Sequence, residues 1–305
     1  MGLIVTDDWL AAEFDLPAVA PATGPFPGRH FLATWAHHRL SAAAQPAIVS
    51  DGAGLIPLIR DGDLWSFAGE PDLTDYHSPL GSGIVSLARR LPELTGTGAR
   101  LVLDSLPKEA AAGLANGLAA AGLHPRVGRH QVAAVVDLTG GWDDFLDRLG
   151  KKNRHELFRK GRRFHDRVGP AVLEAHERPD SALPEFVRLH RMSIGEKGSF
   201  LTESLEAMFH DVATGPGWQV DLLLYDGGIA AAALAYSDPT GYYLYNSGYD
   251  PALAEASPGI SLVAALLERS ARAGLPRLDL LKGDEPYKFR LGAHARPLYR
   301  LEAET

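Results

Sequence analysis

The chain has 305 residues, of which 46% are hydrophobic and 22% are charged, and its formal net charge is −8. This composition is typical of a soluble globular protein with enough residues for two domains. Because there is no cysteine, disulfides, thiolate nucleophiles and cysteine-based zinc or iron–sulfur sites are excluded.

At the N-terminus, Asp7 and Asp8 interrupt the apolar stretch before it reaches the length of a signal peptide. No later run approaches the roughly 20 apolar residues that a membrane span needs. The sequence therefore predicts a cytoplasmic protein, and its Ala/Gly/Arg-rich composition is typical of bacteria. The acidic net charge argues against general nucleic-acid binding.

The first half of the chain is predicted to be a strand-rich α/β unit. Its strands and helices are separated by glycine and aspartate turn signals. They are expected as three antiparallel strands at 46–51, 55–60 and 64–69, a helix at 82–91, a strand at 100–104, a helix at 107–121 and a strand at 131–138.

The second half is predicted to repeat this kind of organisation. Asp226-Gly227 is a strong hairpin signal between two of its strands. The expected elements are helices after residue 140, a strand at 171–177, helices near 181–194 and 202–212, and strands at 218–225, 228–237 and 241–250.

A crossover unit follows the last of these strands. Ser257 is placed as an N-cap, Pro258 lies in the first turn, and Gly274 ends a helix that is followed directly by the strand 277–281. A strand–helix–strand of this kind makes its two strands parallel neighbours. The helix start is then expected beside the end of the strand 241–250, where its N–H groups favour a phosphate.

One segment concentrates positive charge. Residues 151–167 contain eight Lys or Arg and two acidic residues, which gives this segment a net charge of +6. The segment is expected to attract anions.

These motifs, in this order, resemble the GNAT acyltransferase superfamily. The basic segment, "YLYNSGYD" (243–250), "SPG" (257–259) and above all "GDEPYKFRLG" (283–292) are similar to its CelD-like, cellulose-biosynthesis branch, which is related to the Fem peptidyltransferases. The resemblance implies an α/β (α+β) fold of tandem GNAT-like domains, each with a mixed, mostly antiparallel sheet flanked by helices. The domains are expected at 1–136 and 137–305.

The resemblance implies a donor and a site for it. The donor is expected to be an acyl-CoA such as acetyl-CoA, with aminoacyl-tRNA as the alternative, although "AEASPGIS" (254–261) has one glycine and lacks the usual Gln or Arg. The residues expected to bind the donor are Asn246, Tyr249, Ser257, Gly259, Ile260 and Ser261.

Lys288, Tyr287 and Asp279 are the expected catalytic residues. Lys288 would bind a phosphate or stabilise the leaving atom, with Tyr287 in support. Asp284 is expected to cap a short helix that holds Tyr287 and Lys288 at the cleft. The structural alternative is an ion pair between Asp284 and Lys288, with Tyr287 packed in the core. Asp279 would orient or deprotonate the acceptor, or else lock a turn from a buried position. Substituting Lys288 by Ala is expected to slow turnover and leave the melting temperature nearly unchanged.

Residues expected to bind the substrate come from three places. The loop that contains Asp75, Tyr76 and His77 is expected to line an acceptor cleft, with an Asx-type turn as the structural alternative. The others are Lys152, Arg154 and Glu285. No metal site is expected, because the twelve histidines form no H-E-x-x-H motif.

Three functions remain open at this stage. The first is transfer of an acyl group from acyl-CoA to an amine or hydroxyl of a small polar or sugar-linked acceptor. The second is aminoacyl-tRNA-dependent amide formation of the Fem type. The third is a catalytically degenerate GNAT-like protein that only binds a ligand or a partner protein.

Overall fold

The structure is a computed structural model that describes residues 2–193 and 196–305. The chain divides into two compact units, Met1–Ala133 with Arg296–Thr305 (unit 1) and Ala134–Ala295 (unit 2). The model is of the mixed α/β class, with strands and flanking helices in each unit, which confirms the predicted fold class.

Unit 1 begins with short strands and a helix that precede a meander. Its elements are β1 (Ile4–Thr6), α1 (Arg29–Arg39), β2 (Gln45–Ser50), β3 (Gly54–Asp61), β4 (Leu64–Phe67), β5 (Leu80–Gly81), α2 (Ile84–Thr95), β6 (Arg100–Leu106), α3 (Lys108–Ala120) and β7 (Arg126–Asp137), of which β7 enters unit 2 at Ala134.

The meander in unit 1 confirms the sequence prediction, because β2, β3 and β4 pair antiparallel in chain order. β4 then pairs with β6 in parallel, and α2 connects the two strands. Leu87, Ala88 and Leu91 of α2 recur at helical spacing and are fully buried in the core of this unit.

Unit 2 has more helices. Its elements are α4 (Gly141–Arg148), α5 (Lys151–Val168), β8 (Ala171–His176), α6 (Leu183–Arg191), α7 (Glu196–Phe200), α8 (Glu203–Ala213), β9 (Trp218–Tyr225), β10 (Gly228–Asp238), β11 (Gly241–Tyr249), α9 (Pro258–Arg272), β12 (Arg277–Lys282) and α10 (Pro286–Arg290), with 3-10 turns at Pro179–Ser181 and Pro251–Ala256.

The strands of unit 2 follow the order β12-β11-β10-β9-β8. β8 to β11 are antiparallel, and Gly228 pairs with Tyr225 across the predicted Asp226-Gly227 hairpin. β12 pairs with β11 in parallel, which confirms the predicted crossover through α9. Leu262, Val263, Leu266 and Leu267 of α9 are buried in the core of this unit, so one face of the helix is fixed against the sheet.

The sequence prediction did not include the last strand, β13 (His294–Glu304). From Arg296 onward it belongs to unit 1, where it pairs antiparallel with β6, for example Leu301 with Leu103. Among the described residues, no helix combines the length and apolarity required to span a bilayer.

Candidate functional site

The parallel strands of unit 2 separate soon after they meet. β11 and β12 are paired at Tyr242 with Leu278 and at Tyr243 with Asp279. Beyond these two pairs, the remaining residues of both strands have no register with each other among the described residues. The two strands therefore diverge and leave a wedge toward their C-terminal ends.

Asp279 explains where this divergence begins. Its side chain is completely buried, and its Oδ1 accepts a hydrogen bond of 2.8 Å from the Leu281 N–H. Leu281 has a φ of 57°, a left-handed conformation that interrupts a regular strand. The side chain of Asp279 thus competes for an amide that a continuous ladder would use.

β11 has a second irregularity at the same level. The register of its pair with β10 shifts between Leu234 and Ala235, so that β11 bulges at Tyr245. Bulges redirect the backbone and are frequent beside active sites. In unit 2, the bulge lies two residues after Tyr243, the last residue of β11 that pairs with β12.

Helix α9 begins next to the end of β11. Ser257 is its N-cap, as predicted, but its φ is 60° and its side chain makes no capping hydrogen bond. The amides of Ile260 and Ser261 both donate back to the Ser257 carbonyl, at 3.1 Å. Pro258 has no N–H, and the Gly259 N–H makes no hydrogen bond to any described residue. The helix start therefore presents one open amide rather than several.

A cavity of about 320 Å³ lies at this helix start. It is lined by Ser247, Tyr249, Ala254, Ser257, Pro258, Gly259, Ile260, Val263 and Tyr287. It therefore brings together the separated part of β11, the first two turns of α9 and the tyrosine of α10. Four of the six predicted donor-binding residues, Tyr249, Ser257, Gly259 and Ile260, line it.

The other two predicted donor-binding residues point elsewhere. Asn246 accepts a hydrogen bond of 2.9 Å from the Ser247 N–H through its side-chain oxygen. The Ser261 hydroxyl donates to the Ser257 carbonyl at 3.3 Å. Neither residue lines the cavity.

Tyr287 is the predicted catalytic residue that the structure places in the cavity. Its side chain is 37% exposed, and its hydroxyl makes no hydrogen bond to any described residue. Burial of the ring, with a contribution from the Glu285 carboxylate, raises the pKa of Tyr287 to about 12. The hydroxyl is therefore protonated at neutral pH and can donate a hydrogen bond.

Lys288 occupies a different place from the one predicted. It is only 4% exposed, and its ammonium donates to the Lys282 carbonyl at 2.6 Å and pairs with Glu285 at 3.0 Å. It does not line the cavity. The sequence predicts a lysine beside the start of α9. In the structure Tyr287 lies there, and Lys288 instead stabilises the turn that leads into α10.

The cap of α10 also differs from the prediction. The residue at the N-cap is Glu285, not Asp284, and no side chain caps the helix. The ion pair of Lys288 is with Glu285 instead of Asp284. Pro286 starts the helix as expected, because the fixed φ of proline suits a first turn.

The predicted acceptor loop lies in unit 1. Tyr76 is fully buried, with Arg296 stacked 4.7 Å from its ring centroid. His77 is buried against Phe67, and its Nδ1 lies 3.2 Å from the Asp104 carboxylate. Asp75 is half-buried. Tyr76 and His77 are therefore part of the interior of unit 1, and Asp75 lies at the edge of that interior.

The two predicted residues of the basic segment lie on α5. Arg154 pairs with Asp147 at 2.9 Å, whereas Lys152 is exposed on the helix surface. Neither lines the cavity at the start of α9. Lys160 lies further along the same helix and lines a cleft that adjoins this cavity.

A buried polar network in unit 2 was missed at the sequence level. Asp221 is completely buried, and its carboxylate accepts hydrogen bonds from Tyr242 at 2.5 Å, Gln219 at 2.8 Å and Arg269 at 2.5 Å. Burial and the negative charge of Asp221 raise the pKa of Tyr242 well above its usual value. The network ties α9 to β9 and β11; the signal for it was a lone aspartate within the apolar run of β9.

The described residues contain no group of three or more His, Cys, Asp or Glu side chains that is arranged to hold a metal ion.

Comparison with known proteins agrees with this geometry. Residues 151–289 match the family model described as an acetyltransferase (GNAT) domain, which contains α9, β12 and Tyr287 and supports a transferase. No curated protein matches the sequence significantly.

Several solved structures share the fold. A conserved protein of unknown function from Bacteroides thetaiotaomicron has a TM-score of 0.67 at 13% identity, with 100% of each chain covered. L-PGS from Bacillus licheniformis, a lysylphosphatidylglycerol synthetase, has a TM-score of 0.62 at 14% identity, covering 92% of each chain. FemX has a TM-score of 0.59 at 10% identity, covering 88% of this chain and 90% of its own. At these identities, the likeness concerns the fold alone.

Proposed function

We propose that the protein transfers an acyl group from an acyl-CoA, such as acetyl-CoA, to an amine or hydroxyl of a small polar or sugar-linked acceptor. The single observation that carries this proposal is the cavity of about 320 Å³ where the start of α9, the separated end of β11 and Tyr287 meet. It offers both a place for the phosphates of the donor and an open wedge for its acyl end.

The phosphates are assigned to the start of α9. The open Gly259 amide and the positive end of the helix dipole both favour an anion. Adding a Cβ at Gly259 would meet the ring of Tyr249 no closer than 3.5 Å, so the approach to the amide is not blocked by the backbone. With one amide available instead of several, the remaining affinity for the donor must come from other groups.

The acyl end is assigned to the wedge between β11 and β12. The amine or hydroxyl of the acceptor attacks the thioester carbonyl, a tetrahedral oxyanion forms, and the carbon–sulfur bond then breaks. The Tyr287 hydroxyl donates its proton to the departing thiolate, for which its high pKa keeps it protonated. The attacking group releases its proton to solvent, and the Tyr287 phenolate takes a proton back from solvent.

Asp279 is assigned a positioning role in this proposal. Its carboxylate is fully buried and engaged with the Leu281 amide, which holds the wedge open. Lys288 and Glu285 likewise position Tyr287, because their ion pair supports the turn from which α10 starts. The loop with Asp75, Tyr76 and His77 stays our candidate for binding the acceptor.

A second candidate function is amide formation from an aminoacyl-tRNA. It is favoured by the charge of α5, on which Lys151, Lys152, Lys160, Arg162 and Arg163 form no ion pair with the described residues. The fold likeness to FemX is compatible with this candidate. The third candidate, binding without catalysis, is favoured by the small number of amides at the start of α9.

The finer identity is part of the same proposal. We assign the chain to the CelD-like branch of the GNAT superfamily on the basis of "GDEPYKFRLG", and we place the protein in the bacterial cytoplasm. Lys152 and Arg154 are retained as candidates for peripheral contacts with a large substrate, since both lie on the positively charged helix α5.

Calorimetric titration of the purified protein with coenzyme A, acetyl-CoA and charged tRNA tests these candidates. Micromolar binding of coenzyme A and acetyl-CoA supports the acyl-CoA-dependent enzyme. Binding of tRNA that weakens steeply with salt supports the second candidate instead. If neither type of donor binds, the transferase proposal is wrong and the binding function remains.

A further inference from the structure

A narrow cleft of about 30 Å³ adjoins the cavity at the start of α9. Both are lined by Ile260 and Tyr287, so the two spaces adjoin at these residues. The remaining lining residues of the cleft are Asn153, Glu156, Leu157, Lys160, Arg290 and Leu291. A molecule in the cavity can therefore extend a small group past Tyr287 toward α5.

The charges in this cleft are unevenly matched. Glu156 is held by Arg159 through two hydrogen bonds of 2.6 and 2.7 Å, so its negative charge is already neutralised. Lys160 makes no ion pair with the described residues. Arg290 donates to the Pro286 carbonyl at 3.2 Å but likewise contacts no carboxylate among them. The net charge available to a ligand in the cleft is therefore positive.

The positive charge of α5 affects the pKa of Glu156. The bound Arg159, with Lys160 and Arg163, holds the pKa of Glu156 below its usual value. Other cations on this helix are neutralised, since Arg154 pairs with Asp147 and Arg167 with Glu255. Lys160 thus differs from these neighbours in two respects: it has no carboxylate partner and it lines the cleft.

We propose that Lys160 and Arg290 form a phosphate subsite that binds a nucleotide phosphate of the donor that occupies the main cavity. A lysine ammonium and an arginine guanidinium together provide a point charge and a planar set of donors, which suit a phosphate. This subsite would supply the affinity that the single amide at Gly259 does not.

This inference rests on the proposed function, and two donors could provide the phosphate. One is the 3′-phosphate of coenzyme A, and the other is the backbone near the 3′ end of a charged tRNA. Both donors carry a nucleotide phosphate as well as the acyl group. The chemistry of the subsite is the same for both, and the titration below distinguishes them.

The test compares the wild type with Lys160→Ala and Arg290→Ala, and with Lys108→Ala as a matched control. Lys108 is an exposed helical lysine with the same charge, on α3, and it lines neither cavity. The probes are coenzyme A, its 3′-dephospho form, adenosine 3′,5′-bisphosphate and charged tRNA. Each subsite substitution is expected to weaken binding of the phosphate-bearing donor about tenfold, as loss of a charge-assisted hydrogen bond does, and the control to change it less than twofold.

If coenzyme A is the donor, the dephospho form binds the wild type about tenfold more weakly and is insensitive to Lys160→Ala. If tRNA is the donor, the salt dependence of its binding falls by about one phosphate contact in Lys160→Ala. Equal binding by the wild type and both subsite variants, or an equal loss in Lys108→Ala, overturns the subsite.

Adenosine 3′,5′-bisphosphate separates the two proposals. If the wild type binds neither coenzyme A nor tRNA, the proposed function is wrong, but the subsite is still tested by this probe. Binding that is lost in Lys160→Ala and kept in Lys108→Ala then supports the subsite. No binding of the bisphosphate to the wild type overturns it.

Discussion

The two units contain the same supersecondary arrangement with opposite outcomes at the helix start. In unit 1, β4 and β6 are parallel, joined through α2, and paired at Leu64 with Arg100 and Trp65 with Leu101. In unit 2, β11 and β12 are parallel, joined through α9, and likewise paired at two positions. The strands of both pairs therefore diverge soon after they meet.

The start of α2 is closed by the backbone of its own unit. The Gly83 N–H donates to the Ala53 carbonyl at 3.0 Å, and a Cβ at Gly83 would lie 2.8 Å from the Cβ of Ala53. Gly81, with a φ of 85°, approaches the same carbonyl so closely that its Cβ would lie 2.3 Å from the oxygen. The glycines before α2 allow the chain to pack closely there. The start of α9, in contrast, lies beside a cavity of about 320 Å³.

This difference shows that glycine content alone does not identify an anion site. "GSG" precedes α2, whereas α9 begins within "ASPG", which has one glycine. By composition, the first would be the better phosphate loop. Glycine permits close approach of any neighbour, and in unit 1 that neighbour is Ala53, in the turn before β3.

The largest expected effect comes from filling the closed start in unit 1. Gly81→Ala is expected to lower the free energy of unfolding by about 3 kcal/mol, because it combines a positive φ with a backbone clash. Denaturant titration measures the change. Gly122→Ala is the matched control, since Gly122 has a φ of 87° but open space around its Cβ position. A loss equal to that of the control would mean that the start of α2 is not tightly packed.

The next effect concerns the open start in unit 2. Tyr287→Phe is expected to lower turnover about 100-fold, as removal of a general acid does, with donor binding and melting temperature little changed. Tyr249→Phe, which alters another tyrosine of the same cavity, is the control and is expected to keep most of the activity. Equal activity of Tyr287→Phe and the wild type rules out the acid role.

The pH dependence of the wild type sharpens the same point. The pKa of Tyr287 is raised to about 12, so its protonated, donating form persists as the pH rises. A loss of turnover due to Tyr287 is therefore expected only as the pH approaches 12. A steady-state pH profile measures this, and an alkaline loss near pH 10 that disappears in Tyr287→Phe would contradict the raised pKa.

A smaller effect is expected at Lys288. Lys288→Met keeps the length of the buried side chain but removes the donor to the Lys282 carbonyl, so it is expected to cost about 1–2 kcal/mol of unfolding free energy. Thermal unfolding of this variant, with Lys152→Met as the exposed control, measures the loss. This revises the expectation from sequence of an unchanged melting temperature. An unchanged melting temperature with lost donor binding would return Lys288 to the binding site.

The smallest expected effect contrasts two glycines near the helix starts. Gly83→Ala is expected to destabilise the protein by about 1 kcal/mol because Ala53 leaves no room. Gly259→Ala meets an ordinary contact of 3.5 Å with Tyr249 and is expected to raise the stability by about 0.5 kcal/mol through helix propensity. In Gly259→Ala, the added methyl group is also expected to weaken donor binding about threefold. Equal stability changes in the two variants would remove the contrast between the units.

Much of unit 2 could be predicted from local signals. The Asp226-Gly227 turn, the Ser257-Pro258 start and the apolar spacing of α9 each act within a few residues. The right-handedness of crossovers then makes β11 and β12 parallel neighbours. These signals alone predict that Tyr249, Ser257, Gly259 and Ile260 lie near one another. The position of Lys160 could also be predicted, because Asn153 and Lys160 share one helix face with the buried Leu157.

The sequence by itself determined the mixed α/β class, the crossover and the region where a donor would bind, because propensity, turns and periodicity are short-range properties. The tertiary structure decided which helix start is open, that Lys288 is buried on the Lys282 carbonyl, that Asp221 joins Tyr242 and Arg269, and that β13 pairs with β6. These outcomes depend on which distant residues meet, and whether a charged side chain faces water or a carbonyl is settled only by that packing.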